Sequence, residues 1–177
     1  MRVVSGKYRG KKLKEFNLDS TKPTLDKVKE AMFDMIQFDI IDSAVLDLFS
    51  GTGALGVEAI SRGAKKTYLI DNNPQAIKII KENLKGVTED FVIINQNALE
   101  FLKSTNEKFD IVLLDPPYKT DLGLRAIDAL VTGDKLNDNA IILFETSEDL
   151  NINLEYENFK ITKKKYGTVA VFKMVKQ

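Results

Sequence analysis

The sequence predicts an α/β fold, with a mostly parallel sheet covered by helices, an antiparallel C-terminal hairpin and a small basic extension in front. Three observations carry this. Short aliphatic runs at 45–49, 67–70, 91–94, 109–114 and 140–144 alternate with helical patterns, and strands separated by helices imply parallel, right-handed crossovers. A glycine-rich turn, Gly51-x-Gly53-x-x-Gly56, follows the first of these runs. The segments Phe159 to Tyr166 and Thr168 to Val175 flank Gly167 as the two arms of a hairpin.

The chain of 177 residues suits one domain with a sizeable core and a small extension. Its hydrophobic share of 44% and charged share of 29% are those of an ordinary globular protein. No apolar run approaches the roughly 18 residues that span a bilayer, and Met1 to Lys7 lacks the apolar stretch of a signal peptide. The expectation is a cytoplasmic protein, with nothing demanding more than a monomer and no membrane partner. Cysteine and histidine are both absent, which excludes disulfides, thiolate chemistry and a Ser-His-Asp triad. Any metal site is left with carboxylates alone, and no metal is expected.

Formal net charge is zero but unevenly spread: residues 1–29 hold nine basic and three acidic side chains. A basic arm on an acidic body points to a polyanion, or else to a solvated terminus. Val3-Val4 and Leu13 flank Gly6-Lys7-Tyr8-Arg9-Gly10 as two short strands around a turn. Tyr8 is open to two readings, a base-stacking ring between phosphate-holding neighbours or a half-buried strand residue. Pro23-Thr24 then opens a helix whose apolar face is Leu25, Val28, Met32, Met35 and Ile36, with Lys27, Lys29 and Glu30 off that face. This helix should pack on the main body and carry Thr21 to Thr24 near its surface.

Val45 to Phe49 reads as a buried strand, and Leu55 onward as a helix closed by Arg62-Gly63. Thr67 to Ile70 is a second strand ending in Asp71, followed by Asn73 as N-cap and Pro74 at N1 of a helix lined by Ala76, Ile77, Ile80 and Leu84. Phe91 to Ile94 leads to Asn97 and a short helix, and Phe109 to Leu114 leads to Asp115-Pro116-Pro117-Tyr118. Leu124 to Leu130 is helical, and Ala140 to Phe144 forms the fifth strand. Ligands in such sheets sit at the carboxyl ends of strands. That rule places the glycine turn, Asp71, Asn97 and Asp115 to Tyr118 on one rim.

The glycine spacing alone suits NAD, S-adenosylmethionine or a purely structural turn. Asp71, 20 residues after Gly51, stands where an acid would accept from ribose hydroxyls. Asn97 could meet an adenine edge or form a turn. Asp47, a charge inside a strand, either orients the glycine loop or meets the positive end of a cofactor. Asp115-Pro116-Pro117-Tyr118 is the most specific feature. A diproline turn displays carbonyls without competing N–H groups, so Asp115 and the Pro116 carbonyl can both accept from a planar –NH2 group, with the Tyr118 ring as a stacking face. Such positioning suits methylation of an exocyclic nucleobase amine, which is a poor nucleophile unaided.

The set Asp47, Gly51-Thr52-Gly53, Asp71, Asn97 and Asp115-Pro116-Pro117-Tyr118 resembles a class I S-adenosylmethionine-dependent N-methyltransferase with a Rossmann-like sheet. With Arg2-Val3-Val4-Ser5-Gly6-Lys7-Tyr8-Arg9-Gly10-Lys11-Lys12-Leu13, Thr21-Lys22-Pro23-Thr24 and Val28 to Phe33, it is similar nearly end to end to the bacterial RsmD family. That family methylates the exocyclic N2 of a guanine in 16S ribosomal RNA. Lys22, Thr52 and Asn97 depart from its usual Arg, Ser and Asp.

The resemblance implies a basic RNA-binding hairpin and helix at 1–40 and a methyltransferase catalytic domain at 41–177. It implies that Asp47, Phe49, Ser50, Gly51, Thr52, Gly53, Asp71, Asn72, Asn97 and Ala98 bind S-adenosylmethionine. Asp115, Pro116, Pro117 and Tyr118 would hold the guanine. Arg2, Lys7, Tyr8, Arg9, Lys11, Lys12, Lys22 and Thr24 would grip 16S ribosomal RNA or a small-subunit assembly intermediate. Three rivals differ in class or substrate: a DNA adenine-N6 methyltransferase, for which the chain leaves little room for a sequence-reading domain; an NAD-dependent oxidoreductase, which leaves the diproline turn unused; and a non-catalytic RNA-binding protein.

Overall fold

A computed structural model describes residues 1–16, 23–118, 120–147 and 154–177, and the side chains of all of these except 23–25. Elements run α1 (Pro23–Asp34), β1 (Ala44–Asp47), α2 (Ala54–Ser61), β2 (Lys66–Asp71), α3 (Pro74–Asn83) and β3 (Asp90–Asn95). They continue α4 (Ala98–Ser104), β4 (Phe109–Leu114), α5 (Leu122–Thr132), β5 (Leu136–Ser147), β6 (Phe159–Tyr166) and β7 (Val169–Lys176). One seven-stranded sheet has the order β3-β2-β1-β4-β5-β7-β6. The first five strands in that order pair in parallel, and β7 is antiparallel to both β5 and β6. This is the expected fold class. Strand order reverses between β1 and β4, the switch point at which such sheets open a ligand crevice.

Strand alternation explains why the sheet carries apolar clusters on both faces; a third cluster joins Val3 and Leu13 of the arm to Val57, Leu69 and Ile80. Leu46, Tyr68, Ile70 and Val112 face Phe101, Phe109 and Ile127 on the side of α4 and α5. Val45, Ile111 and Leu143 face Met32, Phe33 and Ile36 on the side of α1. Each fully buried Leu, Ile or Phe contributes roughly 1.5–3 kcal/mol, so the sheet is fixed from both faces.

Several boundaries differ from the sequence reading, among them the first helix, which ends at Asp34 although its apolar face was read on through Ile36, and three others have a clear local cause. The first strand stops at Asp47 rather than Phe49, because the Ser50 hydroxyl donates to the Asp47 carbonyl at 2.8 Å and turns the chain. The fifth strand is longer than 140–144, since β7 pairs with it from Ile141 to Ser147. The N-terminal pair of strands reduces to one antiparallel bridge, Arg2 with Lys12, because Gly6 and Gly10 at φ 83° and 87° curl the chain tightly between them. Asn73 caps α3 as expected, its Oδ1 accepting from the Gln75 N–H at 2.9 Å with Pro74 behind it.

Lys29 corrects the reading of α1. Expected off the apolar face, it is only 3% exposed. Its ammonium donates to the Arg2 carbonyl at 2.7 Å and lies 3.4 Å from the Glu58 carboxylate. A long amphipathic stem buries readily when its charged head finds such partners.

Candidate active site

The glycine turn leaves β1 and enters α2 at the switch point. Gly51 and Gly53 adopt φ 54° and 79°, a left-handed backbone that a side chain would strain. Gly56 serves close approach instead: a Cβ there would meet Leu69 Cδ2 at 2.5 Å. Two carboxylates hold the loop. Asp71 Oδ2 accepts from the Gly51 N–H and Oδ1 from the Asn73 N–H, both at 2.8 Å. Asp47 Oδ2 accepts from the Gly56 N–H at 2.9 Å.

Asp47 Oδ1 is buried with no hydrogen-bond partner. Burial is the main cause that raises the Asp47 carboxyl from 3.8 to about 7; the Gly56 N–H opposes the rise and the Asp71 charge adds to it. Of the two sequence readings of Asp47, loop orientation is thus built into the fold, and one oxygen is left over.

A cleft of about 570 Å³ opens along the rim. Phe49, Ser50, Gly51 and Thr52 line it from the loop, and Asp71, Asn72, Asn97 and Ala98 from the ends of β2 and β3. Asp115, Pro116, Pro117 and Tyr118 line it from the end of β4. Twelve of the fourteen residues named for cofactor and chemistry therefore border one space. The other two, Asp47 and Gly53, stand behind the loop. Asn97 spends its Oδ1 as the cap of α4, accepting from the Leu99 and Glu100 N–H groups at 3.0 and 3.2 Å. Its amide nitrogen is the group left to face a ligand.

At the other end of the cleft, Asp115 opens onto the cavity. Its side chain is exposed to the cleft, yet the crowding of the cleft walls costs it hydration and pushes its carboxyl above the usual carboxylate range, with the Glu145 and Asp47 charges adding. Tyr118 is 48% exposed where it lines the cleft. Its hydroxyl donates to Glu145 Oε1 at 2.7 Å, and burial, the Glu145 charge and that bond raise the hydroxyl well above the ordinary tyrosine value.

The basic arm divides between the two ends of the sheet. Met1 and Phe16 line the cleft, and the Lys14 N–H donates to Asn83, whose amide donates in turn to the Thr52 carbonyl. The turn Lys7-Tyr8-Arg9 sits at the opposite end. The Lys7 N–H donates to the carbonyl of Ser61, the last residue of α2, and the Lys7 ammonium and Tyr8 hydroxyl both donate to Glu89, just ahead of β3. Burial acts to raise the Glu89 carboxyl, but these two bonds outweigh it and hold it at about 2. Tyr8 is half-buried and lies in the turn rather than on a strand. Lys11 donates to the Lys85 carbonyl at 2.7 Å, whereas the Arg2, Arg9 and Lys12 residues are exposed. Lys22 and the side chain of Thr24 lie outside the described residues.

Sequence reasoning passed over Glu145, Phe16 and Glu58 as site or anchoring residues. Glu145 sits in a run of aliphatic residues, and its charge there was the available signal. Glu58 has a helical neighbour pattern and no motif. It is fully buried, accepting from the Val4 and Ser5 N–H groups at 2.8 and 3.0 Å and from Arg62 Nε at 2.8 Å.

A sequence-family model described as conserved hypothetical protein 95 matches residues 1–175. Ribosomal RNA small subunit methyltransferase D of Haemophilus influenzae is 35% identical over 179 aligned positions, covering 98% of this chain and 92% of the relative. The Escherichia coli K12 protein of the same name is 29% identical, covering 98% of this chain and 88% of its own. The solved structure of Escherichia coli yhhF superposes with a TM-score of 0.90 at 29% identity, over 100% of this chain and 98% of the other.

Proposed function

The chain belongs to the RsmD family of methyltransferases, the one described as conserved hypothetical protein 95, and from that membership we propose that it methylates the exocyclic N2 of a guanine in 16S ribosomal RNA, using S-adenosylmethionine. The observation that carries the reading is the pairing, within one cleft, of a carboxylate-braced glycine loop with the Asp115-Pro116-Pro117-Tyr118 turn. An NAD-dependent oxidoreductase would leave that turn without a task.

The residues present fit the cofactor. The buried, unpartnered Asp47 Oδ1 suits a cationic ligand nearby. Each Asp71 oxygen receives one backbone N–H and keeps a lone pair for a ribose hydroxyl. Phe49, Ser50, Gly51, Thr52 and Gly53 would cradle the methionine and sugar, and Asn72, Asn97 and Ala98 the adenine side. When bound, the cofactor supplies an electrophilic methyl group.

The chain's own residues supply position and charge. Asp115 and the Pro116 carbonyl accept from the two N–H bonds of the amine, Pro117 stiffens the turn, and Tyr118 stacks on the base. Ionised Asp115 accepts on both oxygens and opposes the positive charge that develops on the amine, so its raised carboxyl makes transfer increase with pH until that ionisation is complete. The guanine must leave its stack to enter the cleft. Arg2, Lys7, Tyr8, Arg9, Lys11, Lys12, Lys22 and Thr24 are the proposed contacts to the RNA, in naked 16S form or in a cytoplasmic small-subunit particle, with the protein acting as a monomer. Residues 1–40 form the RNA-binding unit of this reading and 41–177 the catalytic one. No helix among the described residues is long and apolar enough to cross a membrane.

The test is transfer of labelled methyl from S-adenosylmethionine to 16S ribosomal RNA, with duplex DNA as the parallel substrate and mass spectrometry of the product nucleoside. Asp115→Ala should abolish transfer while calorimetry shows cofactor binding intact. Full activity in that variant, or product in DNA adenine, would overturn the reading.

A further inference from the structure

Glu145 lies on β5 beside the end of β4. The register Leu114 with Phe144 sets it level with Asp115, at the rim of the cleft. It is 5% exposed, in a place where a carboxylate is costly unless partnered. Its hydrogen-bond partner is the Tyr118 hydroxyl at 2.7 Å. The cation bordering the same cleft, Lys29, is committed elsewhere, to the Arg2 carbonyl and Glu58. A buried acid joined to a half-exposed ring through the ring's only polar atom anchors the far end of the ring axis, and because a phenolic O–H prefers to lie in the ring plane, the direction of the acceptor also biases that plane.

We propose that Glu145 is a positioning residue for the methyl acceptor: by accepting the Tyr118 hydroxyl it sets the ring face against which the base held at Asp115 stacks. The proposal rests on the RNA methyltransferase reading above. It separates two tasks on one turn, with Asp115 and Pro116 holding the amine and Glu145 holding the platform. The groups that bear on Glu145 are the Tyr118 hydroxyl and the neighbouring Asp115 carboxyl, while Asp47 adds to the push on Asp115 and the Lys29 ammonium, from α1, borders the same cleft. Because the Glu145 charge adds to the upward push on Asp115, behind the larger effect of lost hydration, the same residue also raises the pH at which Asp115 ionises.

The experiment compares Tyr118→Phe, Glu145→Ala, the double variant and Glu145→Gln, with unmodified 16S ribosomal RNA transcript as the probe. RNA binding to the cofactor-free protein and steady-state transfer are both measured, and thermal melting with calorimetry of S-adenosylmethionine binding verifies that each variant is folded. Tyr118→Phe and Glu145→Ala should each weaken RNA binding and raise KM about tenfold, the scale of one lost hydrogen bond to a charged group. The double variant should be no worse than either single one, because both remove the same contact. Glu145→Gln keeps an acceptor for the hydroxyl and removes the charge, so it should restore KM while moving the acidic limb of the kcat–pH profile to lower pH. Additive single effects, or an acidic limb unmoved in Glu145→Gln, overturn the proposal. Wild-type protein that transfers no methyl to the RNA overturns the reading beneath it; wild-type transfer with additive effects overturns the positioning role alone.

Discussion

Asp47→Asn should make the protein more stable above neutral pH, although it removes a charge from the most motif-rich part of the chain. The carboxyl is raised from 3.8 to about 7 by burial. Between those values the folded state binds a proton that the unfolded state has released. Stability therefore falls as pH rises through this window and levels off above it. At about 1.4 kcal/mol per pH unit, the full penalty at pH 8 is about 4 kcal/mol, of which roughly 3 kcal/mol accumulates between pH 5 and pH 8. The variant's Oδ1 can still accept from the Gly56 N–H, while its amide nitrogen takes the place of the oxygen that has no partner. A buried donor in that position costs about 1–3 kcal/mol. The net expectation at pH 8 is a gain of about 1–3 kcal/mol, shrinking toward pH 5.

Urea denaturation at pH 5, 6, 7 and 8 reads this directly. The chain has no histidine, so the ordinary titration at neutral pH is missing. Asp115 and Glu145, whose carboxyls are also raised, titrate in both proteins, so the difference between the two curves reads Asp47 together with the smaller part of the Asp115 rise that the Asp47 charge supplies. A difference that stays constant from pH 5 to pH 8, or a variant less stable than wild type at pH 8, would refute the account. Calorimetry then separates stability from function. If the spare oxygen serves a cationic cofactor, the more stable variant binds S-adenosylmethionine more weakly at pH 8, and loses less affinity for the uncharged product, S-adenosylhomocysteine.

Two further substitutions test the frame around the site. Gly56→Ala places a methyl 2.5 Å from Leu69 Cδ2 and 3.1 Å from Asp47 Oδ2, and should cost about 1–3 kcal/mol by overpacking, read as a lower urea midpoint together with weaker cofactor binding. Glu58→Ala strands Lys29, Arg62 and the N–H groups of Val4 and Ser5. Its cost should be about 3–5 kcal/mol, read by thermal melting, and a neutral result would mean that the arm's other contacts, to Ser61, Asn83 and Glu89 among them, hold it without Glu58.

What the sequence discloses and what it conceals follow from the range of the forces involved. Asn73-Pro74 foretold its helix start because capping is settled within three residues. Gly51, Asp71 and Asp115 could be placed on one rim because parallel crossovers put every strand end on the same side. Glu58 could not be read in this way. Its partners lie at Lys29, Val4, Ser5 and Arg62, and only the last of these is near enough in sequence for a spacing rule to register. Lys29 was assigned to the wrong face for the same reason: helical periodicity weighs polarity, whereas a buried cation is decided by whether a distant carboxylate and a carbonyl meet it. The basic arm shows the limit most clearly. Its charge was countable, but the sequence does not reveal that Lys7 and Tyr8 are drawn to Glu89 at the foot of the sheet while Met1 and Phe16 reach the cleft. Charge composition names a kind of partner, and tertiary pairing decides which of those charges remain available to it. If the proposed RNA contact is correct, the exposed Arg2, Arg9 and Lys12 should account for more of its salt dependence than Lys7 and Lys11, whose ammonium groups already have partners within the fold.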